Sequence, residues 1–377
     1  MTASSGDLVT VLVPARNEER SIAGCLRSVL SQDHANLEVI VLDADSDDAT
    51  ASIVRRFERR DPRVRLIRHH LERIPQSLNL GLERARGRWI VRVDGHSKIA
   101  AGYIRRAVEH LEGGRWGGVG GRKDGVASTR TGKVIAQAMA SRFGVGGSTY
   151  HFGTGSGTVD HIPFGSYPTA LLRELGGWDG SLRANEDFEL DYRIRASGYE
   201  LFFDPSIRIA WRTRESIPDL FRQYRRYGRG KADVARLHPR SLEPRHLAAP
   251  GFVLVLAGAL VTAPRRPLVA ATVLAPYLAA LLGASAIVAA RVRDPRAATR
   301  LPLAFLAMHL GWGLGFWEGS LAASVMVIRT KVVNRIASAL QPRRTGRSPL
   351  NRDRPGERSR AANADRSVSR PVVPGGM

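Results

Sequence analysis

Cysteine and acidic side chains are both scarce in this sequence of 377 residues. Cys25 is the one cysteine, so no disulfide can form within the chain, and we expect its folded part to lie in a reducing compartment. The first residues lack a basic stretch and the first apolar run ends at Pro14, so we expect no cleaved signal peptide. Asp and Glu number 35 against 57 Lys and Arg. The formal net charge of +22 favours a polyanionic neighbour, either nucleic acid or an anionic membrane surface.

The distribution of this charge favours the membrane. Residues 329–377 carry 12 Lys and Arg against 3 Asp and Glu, and they directly follow apolar segments. Basic residues beside such segments are commonly held on the cytoplasmic side of a membrane. We interpret residues 331–377, with their Pro, Arg, Ser and Asn, as a basic disordered tail.

Three apolar stretches with almost no charge follow Pro250, namely 251–263, 268–290 and 301–328. A helix needs about 20 apolar residues to cross a bilayer, so the second and third are long enough and the first is marginal. We predict a membrane region over 248–330 with two or three crossings. If there are two, the tail stays in the cytoplasm. The third stretch contains His309 and Glu318, and Glu318 could face the headgroup of a lipid acceptor or pair with His309.

Short apolar runs alternate with helical spacing through the first hundred residues. The runs predict strands over 8–15, 37–42 and 64–67 and from Trp89, with helices over 21–31, 50–60 and 74–85. Polar residues gather after the strands. This pattern indicates an open parallel α/β sheet that binds its ligand beyond the carboxyl ends of the strands.

The tripeptide Asp94-Gly95-His96 ends the strand that begins at Trp89. Side chains two residues apart on an extended chain point to the same side, so Asp94 and His96 could converge on one ion or one phosphate group. Alternatively, both are ordinary turn residues.

Two further regions are predicted from composition. Residues 113–157 are rich in glycine and have little periodicity, so we expect a mobile loop beside a site or an irregular surface crossover. In the region 215–247, a helix over 217–235 has an apolar side and an arginine side, which is typical of an amphipathic helix at a membrane interface.

In their order and spacing, the motifs over about residues 8 to 231 resemble those of the family 2 glycosyltransferases, most closely the branch with the succinoglycan-type exopolysaccharide glycosyltransferases. The motifs lie at 11–18, 43–50, 78–82, 94–96, 176–179, 185–187 and 223–227. The resemblance implies an α/β fold of the GT-A type, a Rossmann-like catalytic domain with a mostly parallel sheet over 1–214, followed by C-terminal transmembrane helices.

A nucleotide-sugar presents a base edge, a ribose diol and a diphosphate, so its site needs carboxylates or amides and a cation. Asp43, after the second strand, is placed to accept hydrogen bonds from base or ribose, and Asp94 belongs to the same donor site. The resemblance also places Pro14, Ala15, Arg16, Asn17 and Glu18 in this cleft. Ala44 stands where the family often has a second acid, and Asp45 could compensate for it.

By resemblance, Asp94 and His96 occupy the positions of the metal-binding DXD motif and hold a divalent ion against the diphosphate. A histidine in place of the second carboxylate makes Mn²⁺ plausible beside Mg²⁺. His96 could contact either the metal or only the phosphate.

Asn185-Glu186-Asp187 matches the family's ED motif, in which Asp187 would be the catalytic base and Glu186 would orient acceptor or base. Alternatively, both acids cap the helix that begins near Phe188. Gln223, Arg226 and Tyr227 resemble the QxxRW element with Tyr in place of Trp, and could hold the acceptor or the diphosphate.

The resemblance implies a metal-dependent hexosyltransferase. We predict a multi-pass plasma-membrane enzyme with a cytoplasmic catalytic domain, which moves a hexose with inversion from a nucleotide diphosphate sugar, a UDP-sugar being favoured. The acceptor would be a lipid-linked or growing saccharide in cell-surface or exopolysaccharide synthesis. The alternatives are a polyprenyl-phosphate glycosyltransferase and a processive polysaccharide synthase. A basic membrane-tethered nucleic-acid-binding protein is disfavoured, because unneutralised acids at the strand ends would repel phosphates.

Overall fold

A mixed sheet of nine strands forms the centre of the part of the chain that the computed structural model describes, residues 6–294 and 296–340. The strands are β1 (Val9–Ala15), β2 (Leu37–Asp43), β3 (Val64–Arg68), β4 (Trp89–Arg92), β5 (Ser97–Ile99), β6 (Trp116–Val126), β7 (Gly157–Val159), β8 (Ser166–Pro168) and β9 (Glu200–Arg212). Their order across the sheet is β3-β2-β1-β4-β8-β6-β9-β5, and β7 pairs with β9.

The first half of the sheet is parallel, as the sequence predicts. Strand β1 pairs in parallel with β2 and β4, and β2 pairs in parallel with β3. Ala15 lies opposite Asp43 in the register, so the chain segments after β1 and β2 leave the sheet side by side. Strand β8 then joins β4 to β6 in antiparallel pairings. The predicted α/β class is confirmed.

Helices cover both faces of the sheet within residues 6–327, which belong to one compact unit. The helices are α1 (Ile22–Leu30), α2 (Thr50–Glu58), α3 (Ile74–Arg84), α4 (Tyr103–Glu112), α5 (Arg130–Met139), α6 (Arg142–Val145), α7 (Thr169–Glu174), α8 (Glu186–Ala196), α9 (Ile217–Leu237), α10 (Pro244–Thr262), α11 (Pro267–Val292) and α12 (Ala297–Leu340). Alternate residues of β1 pack on opposite faces, with Val11 in one buried cluster together with Ile22 and Leu12 in a second together with Leu78. Burial on both faces explains the nearly continuous apolar runs of the parallel strands.

The expectation of a loop region over 113–157 is wrong, because the segment contains strand β6 and helix α5. The glycines of β6 lie where neighbouring atoms approach closely. A Cβ atom on Gly121 would be 1.8 Å from the carbonyl oxygen of Ile207, and one on Gly118 would be 2.8 Å from the ring of Tyr167. Glycine is therefore required here by packing within the sheet, not by a flexible loop.

Two C-terminal helices, α10 and α11, are long and apolar enough to cross a membrane by length and composition. The stretch judged marginal from sequence thus lies in a helix of spanning length. The third stretch, in α12, is not among these candidates in the described part of the chain, and its residues Leu301, Phe305 and Met308 are buried in the main core. The last residues of α12 overlap the start of the predicted tail, and residues 341–377 lie outside the described part.

Candidate active site

A cavity of about 630 Å³ lies beyond strand β4. One part of its wall is polar and comes from the ends of β4 and β6 and the start of α8. Another part is largely apolar and comes from α6 and the three C-terminal helices, through Phe143, Phe252, Met308 and Trp312 among others. The cavity therefore offers both charged groups and an apolar surface to a ligand.

Arg92, the last residue of β4, joins three carboxylates in the polar wall. Its Nε lies 2.9 Å from Oδ1 of Asp94, and its Nη1 lies 3.1 Å from Oε1 of Glu186 and 2.6 Å from Oδ1 of Asp187. The arginine side chain is 3% exposed, so its charge is compensated by these carboxylates and not by water. Arg92 thus brings Asp94 of the DGH tripeptide together with both acids of the predicted ED motif.

Glu186 and Asp187 begin helix α8, where the helix dipole favours negative charge. Both nevertheless line the cavity and bind Arg92, so their position in the first helical turn does not keep them out of the site. Asp187 also accepts hydrogen bonds from the Trp178 indole and the Phe164 amide, each at 3.3 Å. Burial raises the pKa of Glu186, while Arg92 acts to lower it.

Asp43 is fully buried at the end of β2 and is not among the residues that line the cavity. Its carboxylate accepts hydrogen bonds from the Ser46 hydroxyl at 2.5 Å and from Nε of Arg68 at 3.0 Å. The segment Pro14-Ala15-Arg16-Asn17-Glu18 follows the adjacent strand, and the Asn17 amide N–H donates to the same Ser46 hydroxyl. Asp43 and this segment therefore lie together beside the cavity rather than in its wall.

Asp45 does not complete a carboxylate pair with Asp43. Its exposed side chain pairs with Arg68 at 3.3 Å and with His70 at 3.1 Å. The residue has a φ of 53°, a left-handed conformation that Asp adopts more readily than most residues.

Asp94 and His96 both line the cavity, as the tripeptide predicts. Nδ1 of His96 lies 2.9 Å from Oε1 of Glu18, which ties the tripeptide to the segment after β1. Within the described ranges, no three His, Cys, Asp or Glu side chains are grouped as a complete metal site. Mg²⁺ is commonly held by one or two carboxylates together with substrate phosphates, so the donor set fits an ion that the substrate helps to bind.

Helix α9 places the predicted acceptor or diphosphate residues Gln223, Arg226 and Tyr227 in the cavity wall. Nε2 of Gln223 donates to the Tyr227 hydroxyl at 2.8 Å. In the described part of the chain, the buried Oε1 atom of Gln223 has no hydrogen-bond partner. This carbonyl oxygen is available to a hydroxyl group of a ligand.

Sequence reasoning missed Arg92 and Lys123, which both line the cavity. Each is a charged residue inside a buried strand, and that contrast was the available signal. The Lys123 side chain lies against the aromatic rings of Phe164 and Trp211. Burial lowers the pKa of Lys123 to about 8, against the opposing effect of Asp94 and Asp187.

Comparison with known proteins shows which family the first part of the chain resembles. The family described as "Glycosyl transferase family 2" matches residues 10–174, which include nearly all of strands β1 to β8 together with Asp94 and His96. Over these residues the chain matches a family 2 glycosyltransferase domain. The predicted resemblance is thereby confirmed.

The relatives of the glycosyltransferase chain include proteins of exopolysaccharide synthesis and lipid-linked sugar transfer. The succinoglycan biosynthesis protein ExoA of Rhizobium meliloti is 28% identical over 314 residues, 82% of this chain and 93% of ExoA. A second relative, 22% identical over 61% of this chain and 74% of its own length, comes from Methanococcus voltae. It is the dolichyl N-acetyl-alpha-D-glucosaminyl phosphate 3-beta-D-2,3-diacetamido-2,3-dideoxy-beta-D-glucuronosyltransferase.

A solved structure extends the likeness of the fold. The mannosyltransferase PcManGT from Pyrobaculum calidifontis, in complex with GDP-Man and Mn²⁺, superposes with a TM-score of 0.56 at 22% identity. The superposition covers 80% of this chain and 87% of PcManGT. The GT-A type of fold predicted from the motifs is confirmed.

Proposed function

We propose that this chain is a membrane-anchored inverting glycosyltransferase of cell-surface or exopolysaccharide synthesis. It moves a hexose from a nucleotide diphosphate sugar, a UDP-sugar being favoured, to a lipid-linked or saccharide acceptor. The observation that carries the proposal is the cluster of Asp94, Glu186 and Asp187 around Arg92 in the wall of one cavity.

Asp187 takes the proton of the attacking acceptor hydroxyl in this proposal. A carboxylate has two oxygens with about four lone-pair sites, so the three donors already on Asp187 leave it able to accept one more hydrogen bond. Glu186, which pairs with the same Arg92 guanidinium, orients the acceptor. As Asp187 takes this proton, the acceptor oxygen attacks the anomeric carbon from the side opposite the leaving group. The bond from that carbon to the diphosphate oxygen breaks, the nucleoside diphosphate leaves, and the anomeric configuration is inverted.

Asp94 and His96 would hold Mn²⁺ or Mg²⁺ with the donor's diphosphate, and the ion would offset the charge that develops on the leaving group. Asp43 and residues Pro14 to Glu18 would bind the nucleoside beside the cavity. The Mn²⁺ and GDP-Man in the PcManGT complex and the presence of both Asp94 and His96 in the cavity wall support this assignment.

Anchoring by α10 and α11, with the catalytic domain on the cytoplasmic face, brings the acceptor to the cavity from the membrane. The apolar wall around Phe252, Met308 and Trp312 supports an acceptor that carries a lipid. The same wall supports a second candidate function, transfer to a polyprenyl phosphate as direct acceptor.

An Asp187→Asn variant tests the assignment of the base. Membranes that contain the protein are assayed with UDP- and GDP-sugars in the presence of Mn²⁺ or Mg²⁺. We expect the variant to lose at least about 100-fold in transfer, the usual contribution of a positioned general base, while it still binds the nucleotide.

Glu200→Gln is the matched control, because it neutralises a carboxylate that is 45% exposed and outside the cavity wall. The control should transfer sugar at the wild-type rate. Undiminished turnover by Asp187→Asn would remove the assignment of the base, whereas loss of nucleotide binding would indicate a structural role instead.

A further inference from the structure

The ammonium group of Lys123 has a charge that its neighbours in the sheet do not balance. It lies in strand β6, opposite Ile209 of β9, and only 8% of the residue is exposed. Its ammonium nitrogen is 3.9 Å from the ring centroid of Trp211 and 4.9 Å from that of Phe164. Among the described residues, Lys123 makes no hydrogen bond and no ion pair, so a nearly buried charge is left without a direct partner.

A buried ammonium group without hydrogen bonds is costly, so a protein retains one where a ligand supplies the missing anion. The faces of aromatic rings attract the ammonium group, but they are not conventional acceptors for hydrogen bonds from its three N–H groups. Lys123 lines the same cavity as Asp94 and Asp187, which both raise its pKa, so its charge lies within electrostatic range of the two acids.

The neighbours of Lys123 indicate which part of the substrate it faces. Trp211 contacts the His96 ring, with centroids 6.3 Å apart, and Arg214 lies three residues further along the chain in the same cavity wall. His96 and Asp94 are the residues assigned above to the donor's diphosphate. Lys123 and Arg214 therefore add two positive charges on the diphosphate side of the cavity.

We propose that the Lys123 ammonium group binds a phosphoryl oxygen of the donor's diphosphate and stabilises the nucleoside diphosphate as it leaves. The inference rests on the proposed function and adds a diphosphate-binding residue from strand β6. If Lys123 only balanced the charge of the three carboxylates around Arg92, it would be a structural residue and its removal would lower the stability of the protein. If it binds the diphosphate, its removal should leave the stability of the ligand-free protein unchanged or raise it.

The test compares the full-length wild-type protein with Lys123→Met in detergent, in two measurements. Calorimetric titration with UDP and GDP in the presence of Mn²⁺ should show affinity about 10- to 100-fold weaker in the variant, the range for loss of one charge-assisted hydrogen bond. Titration with the nucleosides uridine and guanosine should be unchanged. The thermal midpoint of the ligand-free variant should equal or exceed that of the wild type, because an unpartnered buried charge has been removed.

Lys133→Met is the control, since it removes an exposed lysine of α5 outside the cavity wall and should alter neither measurement. The inference alone would be overturned if Lys123→Met bound UDP and GDP as tightly as the wild type does. It would also be overturned if the variant had a lower thermal midpoint with unchanged affinity. If the wild type bound neither UDP nor GDP, the proposed function would fall together with it.

Discussion

Arg92 holds three carboxylates of the cavity wall together through ion pairs that are almost completely shielded from water. Arg92→Met keeps an unbranched side chain and removes the charge, which leaves Asp94, Glu186 and Asp187 close together without a counterion. We expect the free energy of unfolding to fall by about 3–5 kcal/mol, the usual cost of removing one partner from a buried ion pair. Denaturant titration in detergent measures this loss, and transfer should be abolished in the same preparation.

Arg208→Met provides the comparison for this prediction. Arg208 pairs with Asp124 at 2.7 Å, but its side chain is 52% exposed, so the pair is expected to contribute less than about 1 kcal/mol. If Arg92→Met resembled this control in stability and turnover, the carboxylates would not depend on Arg92.

At the level of single residues, the sequence predicted side chains that follow strands better than side chains within them. Asp94 and His96 were found because a polar tripeptide interrupts an apolar run. Arg92 was missed because alternation within a strand does not reveal whether a charge faces solvent or a cavity. Lys123 was missed because its strand, β6, was not predicted. Glu318 pairs with Arg225 and Arg229, not with His309, since the partner depends on how α12 packs against α9.

Helix α9 crosses α12 at glycines on both helices, and this contact positions the cavity residues of α9. A Cβ atom on Gly315 would lie 2.0 Å from the carbonyl oxygen of Arg225, and one on Gly228 would lie 2.1 Å from that of Trp312. Backbone atoms cannot rotate away as a side chain can. An added methyl group therefore has to separate the two helices.

Gly228→Ala and Gly315→Ala should each lower the free energy of unfolding by about 1–3 kcal/mol, as overpacking usually does. Transfer should also fall, because a shifted α9 moves Gln223 and Tyr227. In α10 and α11, Gly258 and Gly283 have nothing within 4 Å of an added Cβ atom, so Gly258→Ala and Gly283→Ala serve as controls and should not destabilise the protein. Equal effects in the two pairs would contradict a close crossing.

At the level of elements, the sequence predicted the parallel half of the sheet and its helices well, because both follow from hydrophobic periodicity. Strand β6 was missed because its glycines resemble those of a loop, and the pairing that buries them with β9 involves residues about 80 positions away in sequence. The outcome for the apolar stretches was mixed, because composition does not distinguish α10 and α11, with their exposed leucines, from α12, whose residue Phe305 is buried beside Phe143 of α6.

For the whole molecule, the proposed membrane association would have two different physical sources, the positive charge and the apolar helices. Leu254, Leu260, Leu268 and Leu282 are more than half exposed on α10 and α11, an apolar surface that has no counterpart on the sheet domain. The net charge of +22 adds attraction to anionic lipid. These contributions respond differently to salt, because screening weakens the attraction between charges but not the burial of apolar surface.

We expect the full-length protein to stay in the membrane pellet when membranes are washed with 1 M NaCl. At this ionic strength charges are screened beyond about 3 Å, so attraction to lipid headgroups alone would no longer hold the protein. A Leu260→Asp/Leu282→Asp variant changes two exposed positions without disturbing the core and should shift towards the supernatant, because aspartate is costly within a bilayer. Immunoblots of pellet and supernatant measure both results. Complete release of the wild-type protein by salt would mean that α10 and α11 do not enter the bilayer and that charge alone attaches the enzyme to its membrane.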